Sequence, residues 1–439
     1  MVDVLVVGAR CAGATLAIHL ARAGKRVLVV DRCAMPSDQP MSTHLITAHG
    51  MALLDDLGLG DKVRAFATPI PLLINGVSGA VARIALPPGR QASCPRRYDL
   101  DALLVSEARA AGAEFRLRTK LVGLLRDGDR VVGGVVEHQG RREEIRAAVL
   151  VGADGRNSTV AEAVAADEYL GYDSPRASYW AYWPRPAWYE EDPRYQGGAV
   201  ILHDADDYLF IFPAGNDQLL VGVALPVERL PEWRGRHRAR LLERVRGFPG
   251  TAPVTEGEPS SEVAGMIKAR FFFRRAAGRG WALVGDAGLF KDPAAALGIT
   301  DAFRDARALA RSIVSGGDEA LIGYWRARDE CSIELFHFAR DLGEPGYNNP
   351  FNRVVFSKLA AHAHLRDRVV AVQARELSPF EVFSAGKLVG WVAAAFFRGS
   401  FGVIRPFLAV ARRAGASRKE LRLRRRLARA VRAKETPRS

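Results

Sequence analysis

The chain has 439 residues, 48% of them hydrophobic and 26% charged, enough for two or three domains with the balance of an ordinary globular protein. Its formal charge of +14 is unevenly placed: residues 411–439 hold 12 Lys/Arg against 2 Asp/Glu, leaving the rest at +4, which argues against nucleic acid as a partner of the folded body. Four scattered cysteines (Cys11, Cys33, Cys94, Cys331) show no metal-ligand or disulfide spacing, and no apolar run nears the ~18 residues of a membrane span, so a metal-free cytoplasmic protein is expected.

An apolar run, Val2 to Val7, meets a small-residue turn, Gly8 to Gly13. An alanine-rich helical pattern follows, then a second apolar run, Val27 to Val30, ending in Asp31. This is a βαβ unit whose first turn opens a helix, the arrangement that holds a pyrophosphate. Asp31 falls about 20 residues past the turn, where a carboxylate accepts bonds from a ribose diol. The fingerprint G-x-G-x-x-G is incomplete, because Arg10 stands where its middle glycine would be. A Cβ there pushes the phosphates outward, and the guanidinium offers partial compensation.

Ser42 to Leu59 reads as a loop and an amphipathic helix, about Thr68 to Ala92 as short strands, and Arg96 to Ala113 as a helix with Leu100, Leu103, Leu104 and Ala108 on one face. Strands follow to Val151, with a hairpin around Asp127-Gly128-Asp129, before a turn-rich GADGRNS at Gly152 to Ser158. From about Pro175 to Phe273 aromatics are frequent and period-two alternation dominates, which predicts an inserted antiparallel sheet. WALVGDAG, Trp281 to Gly288, returns to strand-and-turn grammar, and a helix is expected from about Ile299. The last hundred residues read as largely helical.

The dinucleotide turn, Arg97 and Leu100 at a helix start, GADG (Gly152 to Gly155) and GDAG (Gly285 to Gly288) stand in an order that resembles the FAD-dependent aromatic hydroxylases of the para-hydroxybenzoate hydroxylase type, a wider group that includes flavin halogenases and geranylgeranyl reductases. The resemblance covers roughly residues 1 to 330. It implies that Gly8, Ala9, Arg10, Cys11, Ala12 and Gly13 hold the FAD pyrophosphate, that Asp31 with Arg32 takes the adenosine ribose, and that Arg97 reaches the cofactor. It also implies that Asp286 bonds the ribityl chain, that Asp154 supports the cofactor fold and coenzyme access, and that Pro293, Ala296, Leu297 and Gly298 run past the flavin ring. Where relatives often carry an arginine, this chain has Ser42-Thr43-His44. His44 either contacts the flavin or its phosphates, or merely bonds nearby backbone. The loop KDPAAALG lacks polar residues found in several relatives.

In the hydroxylases NAD(P)H reduces FAD, oxygen adds to the flavin and one oxygen atom passes to the substrate. The leading expectation is therefore an NAD(P)H-dependent monooxygenase acting on an aromatic or polycyclic metabolite. A second reading rests on Tyr208-Leu209-Phe210-Ile211-Phe212-Pro213, which resembles the Y-x-W-x-F-P stretch of geranylgeranyl reductases with Phe for Trp and implies reduction of isoprenoid or polyene double bonds. Trp180-Ala181-Tyr182-Trp183-Pro184 is only superficially similar to the halogenase signature. A third reading is a non-catalytic FAD-fold protein. The aromatic set Tyr179 to Trp183 with Tyr208, Phe210 and Phe212 is the candidate lining of a hydrophobic substrate pocket; any one of them taken singly reads first as a core or edge residue of the sheet. His203 and Tyr182 are conceivable phenol-deprotonating groups, but no catalytic base is assigned.

The expected architecture is α/β: a Rossmann-like FAD-binding domain (1–67, 95–175 and 275–340), an inserted antiparallel β-sheet substrate domain (68–94 and 176–274) and a helical C-terminal extension (341–439). In its last part Leu423, Leu427 and Val431 share a helix face among arginines. That segment either docks peripherally on an anionic membrane or leaves its arginines solvated, the plainer expectation.

Overall fold

The computed structural model describes residues 1–37 and 42–435, with residue 421 and those from 423 onward described as backbone only. At its centre four strands run parallel in the spatial order Trp281–Leu283, Arg141–Gly152, Val2–Val7 and Val27–Asp31, and Glu114–Leu117 extends them in parallel at one edge. Register pairs Val4 with both Val27 and Val149, so the first strand is interior and must be apolar on both sides. Val4 and Val6 pack with the helices Cys11–Arg22, Arg97–Ala110 and Gly298–Ser315, through Leu16, Leu20, Leu100, Leu104 and Phe303. Leu5 and Val7 face the other way, under the hairpin Thr119–Asp127/Arg130–His138, whose turn holds Gly128 at φ +59°.

The expected inserted sheet is present. It has seven strands, ordered Ala264–Met266, Arg176–Pro184, Gln218–Pro226, Asp207–Ala214, Ala199–Asp204, Leu72–Val77 and Ala80–Ala85, antiparallel except where Ala199–Asp204 meets Leu72–Val77. Along Arg176–Pro184 the side chains alternate between two cores. Tyr179, Ala181 and Trp183 pack outward on Trp233, Leu241 and Val245, while Trp180 and Tyr182 face back toward the parallel sheet.

Helices follow from Gly298–Ser315 onward, as expected: Asp318–Leu342, Pro350–Ala361, Ala363–Gln373, Ala385–Phe396 and Ile404–Glu435. Pro350–Ala361 covers the strand Ala80–Ala85 through Phe351, Val355, Phe356 and Leu359. The backbone around Leu423, Leu427 and Val431 is helical, but their side chains lie outside the described residues, so the shared face expected of them is not tested.

Candidate functional site

The parallel strands end on one side, and the segments leaving their carboxyl ends meet there around a cavity of about 440 Å³. The turn after Val2–Val7 needs its glycines for close approach. Gly8 has φ +109°, and a Cβ on it would lie 2.4 Å from the Ala153 carbonyl oxygen; a Cβ on Gly13 would lie 1.8 Å from that of Gly8. The helix Cys11–Arg22 begins without a side-chain cap, so its first N–H groups open toward the cavity, which Arg10, Cys11 and Ala12 line. Such an end favours an anion. Arg10 also hydrogen-bonds Ser37 Oγ through its guanidinium at 3.3 Å, so it bridges the turn to the loop after Asp31.

Asp31 is buried and accepts two backbone bonds, Ala9 N–H on Oδ2 and Cys33 N–H on Oδ1, each 2.8 Å. Two carboxylate oxygens offer about four lone-pair sites, so capacity remains for hydroxyl donors. Arg97, at the first turn of its helix, lies on the wall and is pinned from behind by the fully buried Asp101, with Nη2 at 2.8 Å from Oδ2 and 3.0 Å from Oδ1. Burial opposes the guanidinium charge, but Asp101 outweighs it and raises its pKa. Cys11 Sγ reaches the same Asp101 oxygen at 3.3 Å, and burial pushes its thiol up, so it is an inert packing group.

Asp154 lines the cavity while capping the short helix Thr159–Ala163, accepting the Thr159 N–H at 2.7 Å and the Thr159 hydroxyl at 2.8 Å. Asp286 sits on a single turn, Gly285–Ala287, and burial pushes its carboxyl up to about 6, opposed by Lys291 and Arg97. Beyond it Pro293–Ala295 forms another turn, Ala296 takes a left-handed conformation at φ +53°, and the helix Gly298–Ser315 starts without a side-chain cap.

His44 is fully buried on the wall at φ +61°. Its Nε2 is hydrogen-bonded to the Tyr182 hydroxyl, and Arg96 lies 4.0 Å over the Tyr182 ring. Burial, with Arg97 and Arg96 nearby, holds the imidazole well below its ordinary pKa, hence neutral. A phenol donating into Nε2 places the ring hydrogen on Nδ1, which has no partner among the described residues.

Of the residues singled out from sequence, Gly8, Arg10, Cys11, Ala12, Asp31, Arg32, His44, Arg97, Asp154, Asp286, Pro293, Ala296 and Gly298 line this one cavity. Ala9 and Gly13 support it from behind. Leu297 does not face it: its side chain is buried against Leu335, Ala339 and Val372, because the left-handed Ala296 turns the chain just before the helix. Trp180, Tyr208, Phe210 and Phe212 form the wall offered by the inserted sheet, whereas Tyr179 and Trp183 point to the opposite face, as strand alternation requires. Sequence reasoning passed over Lys291 and Asp301, a buried ion pair on the wall. Burial and Arg304 push the Lys291 ammonium down to about 7. For Lys291 the available signal was a charged residue heading an otherwise apolar loop, beside Asp292, which pairs with Arg176 instead.

A second cavity, of about 130 Å³, adjoins the first and shares Leu45, Ile201, Tyr208, Phe212, Ala294 and Ala296 with it. Its far wall comes from the C-terminal helices, including Phe356, Leu359, Val369 and Phe383. His203 lies here, its ring 4.5 Å from Tyr347 and 5.3 Å from Tyr208, and burial lowers its pKa to about 3.

Residues 1–322 match the family described as FAD binding domain. The chain belongs to this family. It is an FAD-dependent oxidoreductase, and the features of the first cavity fit that group: an uncapped helix start, a glycine cradle, and the unpartnered buried Nδ1 of His44. Menaquinone reductase of Mycolicibacterium smegmatis is 30% identical over 336 residues, covering 72% of this chain and 77% of that protein. 2,4-Dichlorophenol 6-monooxygenase of Delftia acidovorans is 33% identical over 182 residues, covering 37% of this chain and 31% of its own length. The solved flavin-dependent brominase Bmp2 superposes with a TM-score of 0.74 at 20% identity, over 91% of this chain and 98% of that one, which shows a shared fold. Among the described residues no helix is long and apolar enough to cross a membrane.

Proposed function

We propose that this flavoprotein reduces a carbon–carbon double bond in a lipophilic substrate of the quinone or isoprenoid class, with NAD(P)H as a transient reductant. The observation that carries this reading is the position of Tyr208–Pro213. Tyr208 and Phe212 line both cavities, so this stretch stands at the junction between the flavin cavity and an apolar chamber beside it. A cavity of that size lined by Leu, Ile and Phe takes a group about as large as benzene. The similarity to menaquinone reductase over most of both chains supports the same reading, whereas the monooxygenase match spans about a third of that enzyme. This replaces the hydroxylase reading as the leading one.

In this reading the Gly8–Gly13 turn and the start of the helix Cys11–Arg22 hold the FAD diphosphate. Asp31 takes the ribose, Asp286 the ribityl hydroxyls, and His44 Nδ1–H donates to the cofactor. The amino end of the helix Gly298–Ser315 favours negative charge on the reduced ring. The bound flavin supplies hydride chemistry. Trp180, Phe210, Phe212 and Met266 keep water from the reacting face and orient an apolar substrate. Lys291, with a pKa near neutrality, is placed to exchange a proton at its Nζ with groups in the cavity.

The test is anaerobic. Flavin bleached by NADPH should regain its colour when a polyprenyl quinol or polyprenyl alcohol is added without oxygen, and the recovered lipid should be two hydrogens heavier. Recolouring that requires oxygen and yields a hydroxylated product would establish the hydroxylase instead.

A further inference from the structure

We propose that the outer face of the helices Ala385–Phe396 and Ile404–Glu435, with the turn between them, docks on an anionic lipid bilayer. The turn carries the most exposed large apolar side chains of this region: Phe397 is 86% exposed and Phe401 65%. Their rings cluster about Phe396, with centroids 5.8 Å and 5.0 Å from it. Ile404 and Leu408, one helical turn apart and therefore on one side, are also exposed, as is Val389 on the preceding helix. Isolated surface apolar residues need no explanation, but five within twenty positions form a patch.

The charge around the patch has one sign. From Val382 to Lys419 the sequence holds seven Lys/Arg and no Asp or Glu. Lys387, Arg398, Arg405 and Arg412 are exposed there, and the same helix runs on to Glu435 through a strongly basic stretch of sequence. Protruding aromatic rings bordered by cations match an interfacial element that sinks its rings to the acyl boundary and leaves its cations among anionic head groups. The rings stand on a convex turn, with Gly399 at φ +88°, and a fluid acyl layer accommodates a convex wedge without a preformed groove. An anionic bilayer is therefore the occupant that meets both the shape and the charge.

The inner side of the same bundle gives the docking a purpose. Val392, Ala395 and Val403 pack on Phe351, Phe356 and Leu359, and Phe356 and Leu359 also wall the second cavity. Docking thus sets that chamber two helix layers away from the lipid, the source of a lipophilic substrate. This last step rests on the reductase reading; the docking face does not.

The full-length FAD-loaded chain would be co-sedimented with vesicles of phosphatidylcholine and phosphatidylglycerol in equal parts, and with phosphatidylcholine alone, at low and high salt. Binding should favour the anionic vesicles, weaken with salt, and fall about tenfold in the double variant Phe397→Ser/Phe401→Ser, which loses two large side chains from the apolar contact. FAD content and anaerobic reduction of a short-chain, water-soluble quinone, measured on the same preparations, should be unchanged. Equal binding of variant and parent, or no preference for anionic vesicles, overturns the docking face. So does a light-scattering change from dimer to monomer in the variant without vesicle binding by the parent, which would make the patch a contact between two copies. Vesicle binding that behaves as expected, together with no anaerobic hydrogenation of any polyprenyl quinone or polyprenyl alcohol, supports the docking face and overturns the reductase reading.

Discussion

Arg97 carries two roles that substitution can separate. Its guanidinium lies on the flavin cavity wall, and it also neutralises Asp101, whose carboxylate is fully buried. Arg97→Met removes the cation and leaves Asp101 with only the weak Cys11 thiol at 3.3 Å among the bonds to its Oδ1. Removing one partner of a buried pair costs about 3–5 kcal/mol. That is a large share of the ~5–15 kcal/mol that holds a typical fold together. Replacing both partners by apolar groups is far milder, so Arg97→Met/Asp101→Leu should recover most of the loss. Urea unfolding of the apoprotein, followed by tryptophan fluorescence, gives the comparison. FAD titration separates the second role: both variants should bind FAD about ten- to a hundredfold more weakly, the equivalent of one lost charge-assisted hydrogen bond of about 1.5–3 kcal/mol. If Arg97→Met costs less than about 1 kcal/mol, or the double variant is no more stable than the single one, the pairing argument is wrong. Full FAD affinity in the stable double variant would remove Arg97 from the cofactor site.

Other perturbations follow from the same geometry. Gly13→Ala puts a Cβ 1.8 Å from the Gly8 carbonyl oxygen, so purified protein should lack the visible flavin absorbance. His203 is held neutral, its pKa down from 6.5 to about 3 by burial and Arg176. The unfolded chain takes up that proton below pH 6.5 while the fold refuses it, so this stabilisation is present above pH 6.5 and is lost toward pH 3, at about 1.4 kcal/mol per unit; the stability-versus-pH slope of His203→Phe should be shallower over that window. Asp286 has the opposite sign: its carboxyl is raised from 3.8 to about 6, so ionisation destabilises the apoprotein at pH 7. Asp286→Asn should stabilise the apoprotein by up to about 3 kcal/mol in thermal or urea unfolding and weaken FAD binding. Phe356→Trp fills the second cavity and should slow anaerobic turnover of a long-tailed quinone while sparing a short-tailed one, read as kcat/KM for the two.

What could be read from sequence follows the range of the interactions involved. The opening βαβ unit is local: Val2–Val7, the glycine turn and Val27–Asp31 carry their own periodicity, and the bond from Ala9 N–H to Asp31 spans 22 residues inside one supersecondary unit. The aromatic strand Arg176–Pro184 was recognisable as a strand, but not which parity faces the cavity. Trp180 and Trp183 are chemically alike, and only the opposite cores, Phe271 and Phe336 on one side and Trp233 and Leu241 on the other, assign them. The direction of the Leu297 side chain was hidden for a related reason, since one left-handed residue, Ala296, precedes it and the side chain packs into the core. The second cavity was beyond reach, because it joins Leu73 to Phe356 across 283 positions and no local pattern encodes that meeting.

His44 shows how the two kinds of knowledge combine. Sequence left open whether it touches the cofactor or only its own backbone. Its backbone does bond locally, the His44 N–H donating to Ser42 Oγ at 3.1 Å, but the ring is oriented from 138 residues away by the Tyr182 hydroxyl. With the phenol as donor in that bond, the ring hydrogen lies on Nδ1, a buried atom with no partner among the described residues. A neutral imidazole there supplies one hydrogen bond and no charge. Arg10, which stands in the turn where the usual pattern has glycine, adds a cation to the same wall. Arg10 thus puts a cation on a wall where the neutral His44 supplies none. Arg10→Gly restores the fingerprint glycine yet removes that charge, so it should weaken FAD binding rather than tighten it.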